Sequence, residues 1–255
     1  MRILIVSDLH ANPEALAVLP EADAALCAGD LVDFGPDPAA AIAWCRERGA
    51  VVVTGNHDLA LSRRADCGVQ GTMRAASIQT REAHRRILRA EEIAYLSELP
   101  IRRSVTLGST TFALAHATAD DAYRYAPLEF AGKTLAERVP EAAVYVLGHT
   151  HLQGLIERDG KLILNPGSVG MASQGGVAHY ALWEDGRLTL HAAPYDVEAA
   201  IERLRRLELD PPAFDALAHA LRNGRKRSLG DFDRRSTRTH HQAGQDDPEI
   251  ARGDA

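Results

Sequence analysis

Cysteine is scarce in this 255-residue chain. Its three thiols, Cys27, Cys45 and Cys67, are an odd number at no zinc-like spacing, which argues against a disulfide framework or a thiolate zinc module. No stretch approaches the roughly 18 to 20 consecutive apolar residues that a membrane span requires. A basic excess is missing too: 29 Lys and Arg stand against 35 Asp and Glu, for a net charge of -6. Because seven of the basic and six of the acidic residues follow Asn223, the preceding body carries 22 against 29, or -7. Nonspecific nucleic-acid binding normally shows as a positive surplus, so no such partner is indicated. The chain enters an apolar strand pattern at its start, without the basic region and apolar core of a signal peptide, and the expectation is a cytoplasmic protein.

With 45% hydrophobic residues, the chain can bury a full core. Five short apolar runs read as buried strands: Ile3 to Val6, Ala24 to Cys27, Val51 to Val53, Phe112 to Ala115 and Val144 to Leu147. Proline near the first turn marks helices at Pro13 to Leu19 and Pro38 to Arg48. This strand-helix alternation predicts right-handed crossovers and a parallel sheet. Residues Met73 to Leu99 have helical spacing. From Ile101 short strands follow, with tight turns at Gly108, Asp159-Gly160 and Asp185-Gly186, predicting a second, mixed or antiparallel sheet packed on the first. Helical patterns return at Val197 to Leu207 and Pro212 to Leu221. The expected organisation is one catalytic domain over 1–223 and a polar, disordered tail over 224–255.

Each apolar run ends in side chains suited to cations: Asp8 and His10, Asp30, Asn56 with His57, His116, and His149 with His151. The carboxyl edge of an open α/β sheet is where such groups can meet across large sequence separations. A carboxylate can bridge two cations, whereas an imidazole directs one lone pair at one. Mixed nitrogen and oxygen donors suit manganese, with iron, nickel or zinc as alternatives, better than magnesium or calcium. Two such ions about 3.5 to 4 Å apart can lower the pKa of a shared water, making hydroxide the nucleophile for in-line attack on a phosphoester. Gly29, Gly55 and Gly148 each stand between a strand and a ligand, where close approach is needed.

The ordered blocks Asp8-x-His10, Gly29-Asp30, Gly55-Asn56-His57-Asp58, His116 and Gly148-His149-x-His151 resemble the calcineurin-like metallophosphoesterase family from about Met1 to His191. Ala11 and Ala117 stand where that family often has glycine. The runs Gly29-Asp30-Leu31-Val32-Asp33-Phe34-Gly35-Pro36 and Asn165-Pro166-Gly167-Ser168-Val169-Gly170 look like its compact bacterial and archaeal branch, which contains small phosphodiesterases. The resemblance implies an α/β/β/α sandwich of two mixed sheets flanked by helices. It places Asp8, His10 and His151 on one metal and Asn56, His116 and His149 on the other, with Asp30 as the bridge. It further implies that His57 stabilises phosphorane-like charge or protonates the departing oxygen, with Asp58 orienting its ring.

Other residues carry weaker signals. Tyr123, Arg124 and Tyr125 follow His116 and could stack on a base and hold a phosphate, or simply pack their own loop. Arg81, Arg85 and Arg89 form an i, i+4, i+8 stripe, read as a solvated face paired with Glu82, Glu91 and Glu92 rather than a substrate contact. His84, His179, His191 and His219 lack partners at ligand spacing and are taken as structural or solvated. The basic residues of the tail, from Arg225 to Arg238, and His240-His241 are read as solvated. The expected substrate is a small, nucleotide-like phosphodiester. Protein-phosphatase, dinucleoside-polyphosphatase and nuclease activities stay open, as does a silent scaffold like the retromer subunit that resembles this family. Oligomeric state is not readable from the residues.

Overall fold

The computed structural model of the chain describes residues 1–224. The expected polar tail, apart from Gly224, lies outside them. Two five-stranded sheets pack face to face. The first has the spatial order β10 (Arg187–Pro194), β9 (Val177–Glu184), β1 (Arg2–Val6), β2 (Ala24–Cys27) and β3 (Val51–Val52). The second runs β4 (Arg102–Leu107), β5 (Thr110–Ala115), β6 (Val144–Val146), β8 (Lys161–Asn165) and β7 (Gly154–Arg158). Strands β1, β2 and β3 are parallel, as are β5, β6 and β8, while β9 pairs antiparallel with both β1 and β10, β4 with β5, and β7 with β8. Both sheets are therefore mixed. The β9–β10 hairpin joins the first sheet rather than the second, because β9 pairs along β1 from Arg2 to Ile5.

Period-two alternation assigns each face. Leu4 and Val6 of β1 point to the outer helical layer, while Ile3 and Ile5 meet Phe112, Leu114, Val144 and Val146 between the sheets. On β5 and β6 the alternate residues Ala113, Ala115 and Tyr145 face the opposite layer with Leu135. The outer layers are α1 (Pro13–Ala17), α2 (Pro38–Glu47) and α5 (Ala90–Glu98) on the first sheet, and α6 (Leu128–Arg138) on the second. Helices α4 (Met73–Ile87), α7 (Val197–Leu204) and α8 (Pro211–Asn223) form a separate apolar cluster that also holds Phe34. Truncating an intersheet residue such as Leu114 to Ala costs about 2–5 kcal/mol.

Two helices were absent from the sequence reading. Helix α6 follows Pro127, and its Leu128, Ala131 and Leu135 keep i, i+3, i+7 spacing. Helix α3 (Asn56–Arg63) begins on a proposed ligand itself, with Gly55 as N-cap. The parallel cores send the C-terminal ends of β1, β2, β5 and β6 to one edge, where the loops carrying Asp8, Asp30, His116 and His149 emerge.

Candidate metal centre

At that edge the seven expected ligands converge. His10 Nε2 lies 3.1 Å from His151 Nε2 and 3.9 Å from Asp8 Oδ1, and His151 Nε2 lies 3.2 Å from Asp8 Oδ1. A second group forms around Asn56 Oδ1, which is 3.1 Å from His116 Nε2 and 3.0 Å from His149 Nδ1. Asp30 stands between them, its Oδ2 being 3.1 Å from His116 Nε2 and 4.0 Å from His10 Nε2. Six of the seven are buried; His149 is partly exposed. That side is the opening.

Whether these residues suit cations is decided by the outward-facing ring nitrogens. His10 Nδ1 lies 3.0 Å from the Val32 carbonyl, His116 Nδ1 2.7 Å from Ala28 and His151 Nδ1 2.6 Å from Met171. A carbonyl only accepts, so each Nδ1 carries the proton, and the neutral His10 and His151 rings aim their Nε2 lone pairs inward; burial opposes charge on His116, but Asp30 beside its Nε2 raises that imidazole to about 9. The lone pairs of His10 and His151 then face one another at 3.1 Å, an arrangement that repels unless a proton or cation lies between. Burial, followed by the neighbouring His151, pulls the His10 imidazole down to about 3, so a proton is poorly held there. Two sets of three carboxylate and imidazole donors, Asp8 with His10 and His151 and Asp30 with His116 and His149, have their ligand atoms within 4.8 Å of one another. The donor set fits divalent ions.

The convergence is bought with backbone strain. Asp8, His10, Asp30, His149 and His151 all have positive φ, between 45° and 66°, a region that costs a non-glycine residue roughly 1–2 kcal/mol. Ala11, at a position where glycine is common in the family, joins them at 51°. Other contacts hold these turns. Ser168 Oγ donates to the Asp8 carbonyl at 2.8 Å, and Asn165 Nδ2 donates to the Gly148 carbonyl at 2.7 Å and to Thr150 Oγ1 at 3.0 Å. This gives the Asn165-to-Gly170 run a role as a brace for ligand loops. Close packing explains two glycines: a Cβ on Gly55 would collide with the Asp30 carboxylate, and one on Gly148 with Ser7 Oγ.

His57 sits beside the first group, its ring 5.1 Å from that of His10 in edge-to-face orientation. Its orienting partner is Asp33 rather than Asp58: His57 Nδ1 donates to Asp33 Oδ2 at 2.6 Å. Asp58 occupies the third residue of α3, so its carboxylate folds back onto free first-turn amides. It accepts from Gly55 N, Asp30 N and Leu31 N, each at 2.9 Å, tying the Asp30 loop to the helix start. Burial, then the Asp30 charge, pushes the Asp58 carboxyl up to about 7.

Asp33 Oδ2 also accepts from Ser77 Oγ and Arg81 Nη1, each at 3.0 Å, and its backbone N–H donates to His84 Nδ1 at 3.2 Å. Burial favours protonation of Asp33, but the His57 bond and the His57 and Arg81 charges hold it below the usual carboxylate range. Burial opposes the charge on His57, yet Asp30 and the Asp33 bond raise it well above an ordinary imidazole. The Asp33–His57 ion pair contributes to both shifts, and the Asp30 charge adds to that of His57. Sequence reasoning missed Asp33 although it lies three residues beyond Asp30; a second carboxylate in the same loop was the available signal.

The arginine stripe also departs from expectation. Arg81 is buried on Asp33, and Arg85 donates to the Leu61 and Ala60 carbonyls at 3.0 and 2.7 Å, closing the end of α3. Arg89 alone behaves as expected, pairing with Glu91 and Glu92. In the loop after His116, Tyr125 is buried edge-on to the His149 ring at 5.6 Å, so it backs that imidazole instead of offering a stacking face. Tyr123 is half-buried, and burial pushes its hydroxyl up to about 12. Arg124 is exposed, lies over the Phe130 ring at 4.6 Å and shares a small crevice with Ala117, Leu128 and His149.

Residues 1–185 match the model of the calcineurin-like phosphoesterase superfamily domain. The chain is 26% identical over 227 residues to the uncharacterized protein MJ0912 of Methanocaldococcus jannaschii, spanning 79% of this chain and 91% of that one. Its fold is similar to that of a metallophosphoesterase from Sphaerobacter thermophilus, with a TM-score of 0.67 and 26% identity over 86% of this chain and 99% of the other. The hypothetical protein PH1004 from Pyrococcus horikoshii shares the fold at a TM-score of 0.72 and 15% identity, over 88% of this chain and 98% of the other.

Proposed function

Since the chain belongs to the calcineurin-like phosphoesterase superfamily, we propose that its centre holds two divalent ions, manganese first, and hydrolyses a phosphodiester of a small nucleotide-like molecule. The observation that carries this reading is the confrontation of the His10 and His151 lone pairs, fixed by carbonyl-bound Nδ1 protons beside the Asp8 and Asp30 carboxylates. Asp8, His10 and His151 would hold one ion, Asn56, His116 and His149 the other, and Asp30 both. Ions held there would supply Lewis-acid activation of water and neutralise charge on the phosphoryl oxygens.

The remaining work belongs to the protein's own groups. Asp33 fixes the His57 proton at Nδ1 and favours the charged ring, so His57 presents a second proton at Nε2. That proton stabilises charge on a phosphoryl oxygen or passes to the departing oxygen. Arg81 and Ser77 keep Asp33 ionised and immobile. Asp58 holds the Asp30 loop against the start of α3, which fixes the bridging carboxylate relative to Asn56. Arg124, exposed beside His149, contacts a distal phosphate or base.

The test is hydrolysis of bis-p-nitrophenyl phosphate by protein loaded with manganese, with bound metal counted in parallel. Turnover dependent on two equivalents supports the proposal. Full metal content without turnover, on this substrate and on a panel of cyclic nucleotides and dinucleoside polyphosphates, would favour a scaffold.

A further inference from the structure

Cys67 plays no part in the chemistry above, yet it lies against the Asp33–His57 pair. Its Sγ is 3.1 Å from Ser77 Oγ, and one ligand atom each from Asp33, His57 and Cys67 lies within 4.8 Å of the others, all three residues being buried. Asp33 supplies a second observation. Oδ2 takes all three side-chain donors, whereas Oδ1 is buried and accepts no hydrogen bond. A buried carboxylate oxygen without a donor is costly, and here it belongs to a cluster that also contains a thiol and an imidazole.

We propose that Asp33, His57 and Cys67 form a third cation site, separate from the paired centre, which takes a thiophilic divalent ion such as zinc and withdraws His57 from its position when filled. Sulfur, nitrogen and oxygen donors are the usual ligands of zinc, and around a tetrahedral ion their atoms lie about 3.3–3.8 Å apart, within reach of small side-chain rotations here. Oδ2 keeps its bonds to Arg81 and Ser77 while Oδ1 turns to the ion.

Charge balances across the step. The entering dication displaces the Cys67 Sγ proton and the His57 Nδ1 proton to solvent, so the net charge beside Arg81 does not change. His57 Nδ1 then bonds the ion in place of Asp33. The softness of the thiolate distinguishes this site from the paired centre, whose donors are all nitrogen and oxygen.

Loss of activity on filling rests on the proposed hydrolysis, so binding is read separately by spectroscopy. Manganese-loaded protein is titrated with cadmium while thiolate-to-metal charge transfer in the ultraviolet and hydrolysis of bis-p-nitrophenyl phosphate are followed together, for the natural chain and for Cys67→Ser. One equivalent of cadmium should saturate the band and abolish turnover in the natural chain. Cys67→Ser should keep its basal turnover, show no band and need about tenfold more cadmium, or more, for the same inhibition, since a hydroxyl is a poor ligand for a soft ion. No band in the natural chain, or the same band in Cys67→Ser, overturns the site. A chain with the band but no turnover under any condition would refute the hydrolase reading and leave the cation site standing.

Discussion

Replacing Asp33 by Asn tests the ion pair that holds His57. The substitution keeps the shape of the side chain and removes its charge. In the native protein one oxygen accepts from His57 at 2.6 Å and from Ser77 and Arg81 at 3.0 Å each. Asn can still accept from Arg81 and Ser77, but it no longer favours a charged imidazole. A positioned acid contributes about 10²–10⁴-fold to such reactions, and a fall in kcat of about 10²-fold is expected because the ring stays in place without its counter-charge. The basic limb of the pH profile should also move down, toward the ordinary histidine value near 6.5, since Asp33 helps raise His57 above it.

Stability should fall by about 3 kcal/mol, the lower end of the cost of breaking a buried pair, because Asn leaves a hydrogen bond to Arg81. The sign of its pH dependence follows from the two shifts. The depressed Asp33 stabilises the fold above about 3.8 and loses that effect as pH falls through its folded value. The raised His57 stabilises the fold below about 6.5 and loses the effect as pH rises through its own. The deficit of Asp33→Asn should therefore be greatest between about pH 3.8 and 6.5 and shrink on either side. The assay is kcat and kcat/KM against pH on bis-p-nitrophenyl phosphate, with metal content and urea unfolding alongside. An unchanged basic limb and kcat at full metal content would refute the reasoning.

Asp30→Ala should abolish binding of both ions, whereas His57→Ala should retain both and lose most turnover; metal analysis of the two purified variants separates bridge from acid, and metal loss in His57→Ala would show that its role is misassigned. Arg124→Ala should raise KM for a nucleotide substrate and leave a small chromogenic diester almost unaffected, and no change for either substrate would remove Arg124 from the site. Ala11→Gly should stabilise the protein by up to about 1 kcal/mol in urea unfolding, because it relieves a left-handed φ at some cost in chain entropy; a destabilised variant would mean that packing of the Ala11 methyl outweighs the strain.

Most of what brings the expected ligands together was legible in the residues. The apolar runs ending in Asp8, Asp30, His116 and His149 read as strands because both their faces are buried, one against helices and one against the other sheet. What escaped was of three kinds. Helix α3 starts within the ligand motif, so its first turn looked like loop. The β9–β10 hairpin has the local pattern of any antiparallel pair, and only its registry with β1 assigns it to the first sheet. The exchange of roles between Asp58 and Asp33 is a matter of direction: residues adjacent to His57 in sequence point elsewhere on a helix, while a carboxylate 24 positions earlier meets its ring. The left-handed φ angles of five expected ligands were hidden too, since Asp and His adopt such angles more often than most side chains but still in only a small share of cases.

The central claim is that one edge of the fold gathers two ions around Asp30, and anomalous diffraction from crystals soaked in manganese measures it most directly. The account predicts two peaks about 3.5 to 4 Å apart, one beside Asp8, His10 and His151, the other beside Asn56, His116 and His149, with the Asp30 carboxylate touching both. A single peak, or two peaks with Asp30 bonded to neither, would contradict it.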